Sequence, residues 1–284
     1  MADAKSEARI LNGNRFSGVG VSYRPEFQPF WKDVFELIDC VEFIPDELPD
    51  NPLLFAQTLA AIGTKPCMAH STSLSVASPE PLAGERLAAL KGVIERIGAD
   101  CCSDHLSFRR AGDMEIENFC LPLTDRLSIE VILQNLERYS DAFARRIALE
   151  NITINGLTRF GANLGEELYL FQHLAGSGVG VLFDVNNCFI NCKNFGVDPT
   201  EYLSQFPLTA IEGIHIAGHE TSENWVVDSH MAAICPEVYD LLDEVLACSA
   251  ARYVVLERDN NSCTAEELVH ELAQIRQVWA RRRH

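Results

Sequence analysis

The stretches RIALENI (146–152) and VGVLFDV (179–185) decide the fold. Each is an apolar run too short for a helix, and each stops on an acid, Glu150 or Asp184. A strand buried on both faces reads as such a continuous run, the pattern of a parallel sheet. Working outward, the same pattern recurs at GVGVSY (18–23), IDCVEFI (38–44), PCMAHS (66–71), DCCSDHL (100–106), IEGIHIA (211–217) and RYVVLE (252–257). Amphipathic stretches lie between, among them 84–97, 126–145 and 164–175. Thr264 with Glu267 three residues on is a capping box for a helix over 264–280, and Pro199–Thr200 opens another. Eight strand–helix repeats in 284 residues predict an α/β fold closed into a (β/α)8, or TIM, barrel, a single domain over 1–284. The segments 107–125 and 218–234 exceed ordinary barrel loops, and both follow strands, where long loops shape a site.

Composition narrows the class. Hydrophobic residues make up 47% of the chain and charged residues 23%, enough for a large core and a solvated surface. A net charge of −18 repels phosphates, which argues against a nucleic-acid partner. No apolar run approaches the ~20 residues of a membrane span. The opening MADAKSEARILNGNR lacks an apolar signal core, so a cytoplasmic protein without membrane association is expected. The ten cysteines include no CxxC pair and read as reduced, mostly buried thiols.

Nearly every predicted strand carries a ligand-type residue near its C-terminal end: Glu42, His70, His105, Glu150, Asp184, His215 and Glu257. Their successive intervals of 28, 35, 45, 34, 31 and 42 are the lengths of single βα units, so the side chains converge on the face where barrels keep their chemistry. One histidine alone is more often a hydrogen-bonded structural residue, and one aspartate at a strand end is often a helix cap. Three histidines and four carboxylates together carry a desolvation and repulsion cost that cations relieve. The segment after the seventh strand adds Asp228 and His230. The candidate ligands are therefore His70, His105, Glu150, Asp184, His215, Asp228, His230 and Glu257. Four imidazoles and four carboxylates exceed what one ion uses, which implies two or three. Mixed N/O donors without thiolate suit iron, manganese or zinc. Glu42, Asp104, Asn151, Asn187 and His219 are expected to orient ligands or touch substrate. Asp228 and His230 sit on a predicted loop, so their ion is expected to be held more loosely than the others. His173, His270 and His284 are read as surface residues, and Cys188 and Cys192 as structural thiols.

SDHLSF (103–108), LEN (149–151), GVLFDVNNCFIN (180–191), GIHIAGH (213–219), VDSH (227–230) and LERD (256–259) share an order and spacing, together with GVGVSYRP (18–25) and HSTSLS (70–75). The ensemble resembles the multinuclear non-haem iron-dependent oxidases, from about residue 18 to 260. The resemblance implies a TIM barrel that modifies a cysteine of a ribosomally made peptide, with two or three iron ions in mixed ferrous and ferric states and dioxygen as co-substrate. It implies that His70, His105 and Glu150 hold one iron, that Glu150, Asp184, His215 and Glu257 surround a second, and that Asp228 and His230 hold a third. Glu150, Asp184 and His215 would then be central to catalysis. The family includes the methanobactin oxidase, which turns cysteine into oxazolone and thioamide, and a thiaglutamate-pathway enzyme that excises the β-carbon of a C-terminal cysteine. Many relatives carry Ser-Glu-Asn after the second strand, where this chain has Glu42-Phe43-Ile44-Pro45, and the methanobactin enzyme has Tyr in place of His219. The thiaglutamate type is therefore the expectation, with oxazolone and thioamide formation as its alternative within the family. The implied partners are a precursor peptide with a C-terminal cysteine and a small leader-recognition protein, giving a hetero-oligomer. On the residues alone, a metal-dependent hydrolase or a sugar-isomerase-like barrel would use a similar ring.

Overall fold

The computed structural model describes residues 16–112, 114–154, 161–223, 225–259 and 263–283. The barrel strands are β1 (Gly18–Ser22), β2 (Cys40–Phe43), β3 (Cys67–His70), β4 (Cys101–His105), β7 (Ile147–Glu150), β8 (Val181–Asp184), β9 (Ile211–Ile216) and β12 (Tyr253–Leu256). They close in the order β1-β12-β9-β8-β7-β4-β3-β2, and the pairings are parallel. The expected (β/α)8 architecture is present, with each sequence-read strand trimmed by a residue or more at its ends. Among the described residues no helix is long and apolar enough to cross a membrane.

The two segments read as long loops are more ordered than expected. Each contains an antiparallel hairpin: β5 (Phe108–Ala111) with β6 (Met114–Cys120), and β10 (His219–Ser222) with β11 (Trp225–Asp228). The first turns through Gly112 at φ 57° and the second through Glu223 at φ 56°. A glycine at a positive-φ turn is a readable hairpin signal, whereas glutamate there is not.

Helices start where short polar side chains accept from free amides. Asp125, Asn163, Asp184 and Asp198 each cap a helix in this way, and Thr264 and Glu267 form the expected capping box. His173 and His270 are exposed, as read from sequence, while His284 lies outside the described residues. Cys188 and Cys192 are buried.

Side chains alternate across each strand, and this decides where the chemistry sits. Val41, Ala69, Leu149, Phe183, Ile214 and Val254 pack outward against the helices. Cys40, Met68, Ala148, Leu182, Tyr253 and Val255 pack inside the barrel as a separate apolar cluster. Two residues further along, on the same inward parity, come Glu42, His70, Glu150, Asp184 and Glu257. An apolar plug therefore floors the barrel directly beneath a polar ring.

Candidate metal centre

Strand register brings the ring together. In the parallel pairs His105 lies beside Glu150, and Asp184 beside His215. His70 Nε2 lies 3.2 Å and His105 Nε2 3.3 Å from the same Glu150 oxygen, Oε2. His215 Nδ1 lies 3.0 Å from Glu150 Oε1 and 3.1 Å from Glu257 Oε2. Donor atoms fall into three groups, each spanning no more than 4.8 Å: His70, His105 and Glu150; Glu150, Asp184, His215 and Glu257; and Glu42, His70 and His215. Glu150 belongs to two of them, one oxygen facing each.

Asp228 ends β11, and His230 follows two residues later, its Nε2 2.9 Å from Asp228 Oδ1. This pair is not slack. The Val226 amide and carbonyl bond the Asn194 side chain on the helix Val185–Phe195. His230 sits at φ 52°, its amide donating to the Gly218 carbonyl and its carbonyl accepting from the Asp259 amide. A left-handed histidine costs energy and persists only where its surroundings over-determine it. Gly218 allows that clamp, because a Cβ there would collide with the Ala232 carbonyl. The looseness expected of this segment therefore does not follow from its backbone.

Charge is out of balance at the ring. Glu42, Glu150, Asp184 and Glu257 are buried together with His70 and His215. Burial pushes the Asp184 carboxyl well above the carboxylate range, and the nearby Glu150 and Asp228 charges add to it. Burial opposes charge on His215, but Glu257, Glu42 and Glu150 outweigh it and hold its pKa well above the usual value. The same contest, with Asp228 as the main carboxylate, raises His230, and Glu150 with Asp104 raises His105. Glu257 is held well below its usual range by His215, His230 and Arg24, despite burial. Burial takes His70 down to about 3, so its imidazole is neutral at pH 7 with a lone pair to offer.

The donor set fits metal ions. Glu42 Oε1, Glu150 Oε2, Asp184 Oδ2 and His230 Nε2 are buried and make no hydrogen bond of acceptable geometry. Glu150 Oε2 and the two histidine nitrogens near it are close without being aimed at one another, as ligands to a shared ion are. Buried polar atoms left so are costly. Nitrogen and carboxylate donors without thiolate suit iron, manganese or zinc.

Among the residues expected to orient ligands, Asn151 and Asn187 bond the Asp184 segment. The Asn151 and Asp184 segments exchange hydrogen bonds, Asn151 Nδ2 to the Asp184 carbonyl at 2.9 Å and the Asp184 amide to Asn151 Oδ1 at 2.8 Å. The Asn187 amide donates to Asp184 Oδ1 at 2.7 Å, and its side chain donates to the Asn151 carbonyl. Asp104 accepts from the Leu74 amide, out of the ring. His219 Nδ1 lies 2.8 Å from Asn186 Oδ1, and Asn186 Nδ2 donates to Asp228. Sequence reading missed Asn186, and it missed Ser103, whose hydroxyl lies 2.9 Å from His70 Nδ1. It also missed Arg24, which pairs with Asp259 at 3.0 Å and Glu257 at 3.5 Å. Ser103 stands two residues before His105, on the same strand parity, which was the available signal.

A cavity of about 280 Å3 opens over the ring, lined by Arg24, His70, His105, Phe119, Glu150 and His230 among others. Phe119 of β6 stacks on His105 with centroids 3.7 Å apart, and the Arg109 guanidinium lies 4.7 Å from the Phe119 ring. A larger cavity of about 910 Å3 lies at the opposite end, by Cys101, Gly180, Ile211 and Arg252 at the strand starts. The smaller one holds the converging donors, and barrels work at that mouth.

Fold and site define a TIM barrel with a candidate multinuclear metal centre at its C-terminal mouth. The family model described as the RiPP precursor modification enzyme MbnB/TglH/ChrH matches residues 18–280, and the chain belongs to that family of peptide-modifying enzymes. It is similar to the UPF0276 protein of Acinetobacter baylyi, 28% identical over 91% of this chain and 90% of that protein. A UPF0276 protein of Pseudomonas aeruginosa is 31% identical over 76% of this chain and 75% of its own length. Among solved structures, a D-allulose 3-epimerase from Methylomonas sp. superposes with a TM-score of 0.57 at 11% identity, covering 94% of this chain and 99% of that one. Endonuclease IV from Thermus thermophilus gives 0.53 at 15% identity, covering 93% and 99%. At such identities these likenesses concern the fold alone.

Proposed function

We propose that this chain oxidises a cysteine of a ribosomally made peptide, using two or three iron ions and dioxygen, and that it excises the β-carbon of a C-terminal cysteine. The observation that carries the reading is the sharing of Glu150 between two donor groups inside a peptide-modifying family. His70, His105 and Glu150 would hold one ion, Glu150, Asp184, His215 and Glu257 a second, and Asp228 with His230 a third. Iron there would supply redox chemistry and a Lewis acid for the cysteine sulfur.

The chain's own residues do the rest. The ring's carboxylates balance the charge of several cations. Phe119 and the apolar plug keep bulk water from the ring, and Asn151 and Asn187 hold Asp184 in one orientation. At about 280 Å3, the cavity is slightly smaller than typical small-ligand sites, roughly 300–1,000 Å3. That size supports entry of one residue at a peptide end, with the remaining peptide outside. A small leader-recognition protein would hold that remainder.

The test is metal content and oxygen consumption of protein purified with iron, given a peptide ending in cysteine. More than one iron per chain, oxygen uptake and a mass change at the cysteine are expected. A reproducible single zinc per chain with activity intact would overturn the iron reading.

A further inference from the structure

We infer that Glu42 is a positioning residue: its carboxylate fixes which nitrogen His215 turns toward the metal centre, and strengthens that nitrogen as a donor. The inference rests on the metal-centre reading above. The His215 ring is buried with both nitrogens committed. Nδ1 faces Glu150 and Glu257 at 3.0 and 3.1 Å, the side of the four-residue donor group. Nε2 faces away from that group, 2.8 Å from Glu42 Oε2. Carboxylates only accept, and both nitrogens face them; an ion held by the four-residue group would take Nδ1, leaving the ring's one hydrogen on Nε2 toward Glu42. A carboxylate hydrogen-bonded behind a ligating imidazole fixes its tautomer and raises its basicity.

The neighbouring imidazoles lack this feature. His70 Nδ1 meets only the neutral Ser103 hydroxyl, 2.9 Å away. His105 Nδ1 is 3.7 Å from Asp104 and makes no hydrogen bond among the described residues. Of these three ring histidines, only His215 has a full negative charge at bonding distance behind it. The centre is thus electronically uneven: the His215 position receives a more electron-rich nitrogen than His70, which is backed by a neutral hydroxyl.

The rival is that Glu42 is itself a ligand, since its donor atom also groups with those of His70 and His215. Zinc, which is diamagnetic, separates the two in the full chain. Zinc-loaded wild-type protein with labelled histidines should show His215 bound through Nδ1, with a low-field Nε2 proton. Glu42→Gln should bind the same number of zinc ions at saturation, hold one of them about 10- to 100-fold more weakly, and move that proton upfield. Ser103→Ala should leave the His215 proton in place. Loss of a whole zinc equivalent from Glu42→Gln would make Glu42 a ligand and overturn the inference. Unchanged affinity with an unmoved proton would also overturn it. If the variant does not fold, the wild-type spectrum decides alone, because His215 bound through Nε2 refutes the assignment. Wild-type protein that binds no zinc, cobalt or iron would refute the metal centre itself, a result distinct from a failure confined to Glu42.

Discussion

Glu167, on the helix Leu164–Gly176, is fully buried, and the Tyr202 hydroxyl donates to its Oε2 at 2.6 Å. Burial raises its carboxyl from an ordinary 4.5 to about 7, and the Tyr202 hydroxyl and Ile152 amide offset only part of this. Below pH 4.5 the folded and unfolded chains both hold this proton. Between 4.5 and 7 the folded chain holds more of it, so the contribution to stability falls as pH rises and is lost above the folded pKa. At ~1.4 kcal/mol per pH unit, the gap amounts to about 3 kcal/mol. Glu167→Gln keeps an acceptor for Tyr202 and removes the titration. The variant should match wild type near pH 4.5 and exceed it by up to about 3 kcal/mol at pH 8, a rise of roughly 5–10 °C in melting temperature. Thermal unfolding of metal-free wild type and variant across pH 5 to 8 measures it, and the difference between them cancels the titration of the ring histidines. A difference that stays flat across that range, or a variant less stable at pH 8, would refute the reasoning.

Asp184 both caps a helix and offers a buried Oδ2 to the ring. Asp184→Asn should keep the cap and lose metal, whereas Asp184→Ala should lose metal and a further ~1 kcal/mol of stability, read by metal analysis beside denaturant unfolding. Gly218→Ala should cost roughly 1–3 kcal/mol by overpacking against the Ala232 carbonyl and should release the ion at Asp228–His230 first; stepwise chelation reads this out, and an unaltered order of release would count against the clamp. Phe119→Ala removes the His105 stack and the Arg109 contact, together worth about 1–2 kcal/mol. Hydrogen exchange in β5 and β6 should accelerate ~5- to 30-fold, and unchanged protection would show the hairpin held by other contacts.

The ring was legible because acids and imidazoles at the ends of apolar runs have no solvent to face. His70, Glu150, Asp184 and Glu257 stand out in their own segments before any partner is known. The hairpins were less legible: β10 and β11 are joined through Glu223, and Ser-Glu-Asn-Trp has turn-tolerant Ser and Asn but neither Gly nor Pro to mark a tight turn. Arg24 was invisible for a different reason. Its partners Glu257 and Asp259 lie more than 230 positions away, so only barrel closure brings them together. Glu42 lies between these cases. Its strand-end position was readable, but which His215 nitrogen it meets is a matter of three-dimensional orientation that spacing does not encode. The backbone bonds that tie His230 to Gly218 and Asp259 were equally unreadable, because local sequence says little about such contacts.

The two hairpins over the mouth differ in what they put at stake. β10–β11 brings Asp228 to the cavity over the ring, whereas among the described residues β5–β6 reaches the ring through Phe119 lying on His105. A lineage under pressure to accept new peptides can therefore redraft β5–β6 freely, since no candidate ligand is lost with it. The other hairpin would be held to its inheritance by the proposed ion at Asp228. Diversification of substrate range should concentrate in the first hairpin, and a chimaera carrying a relative's β5–β6 is the natural way to transplant specificity onto this barrel.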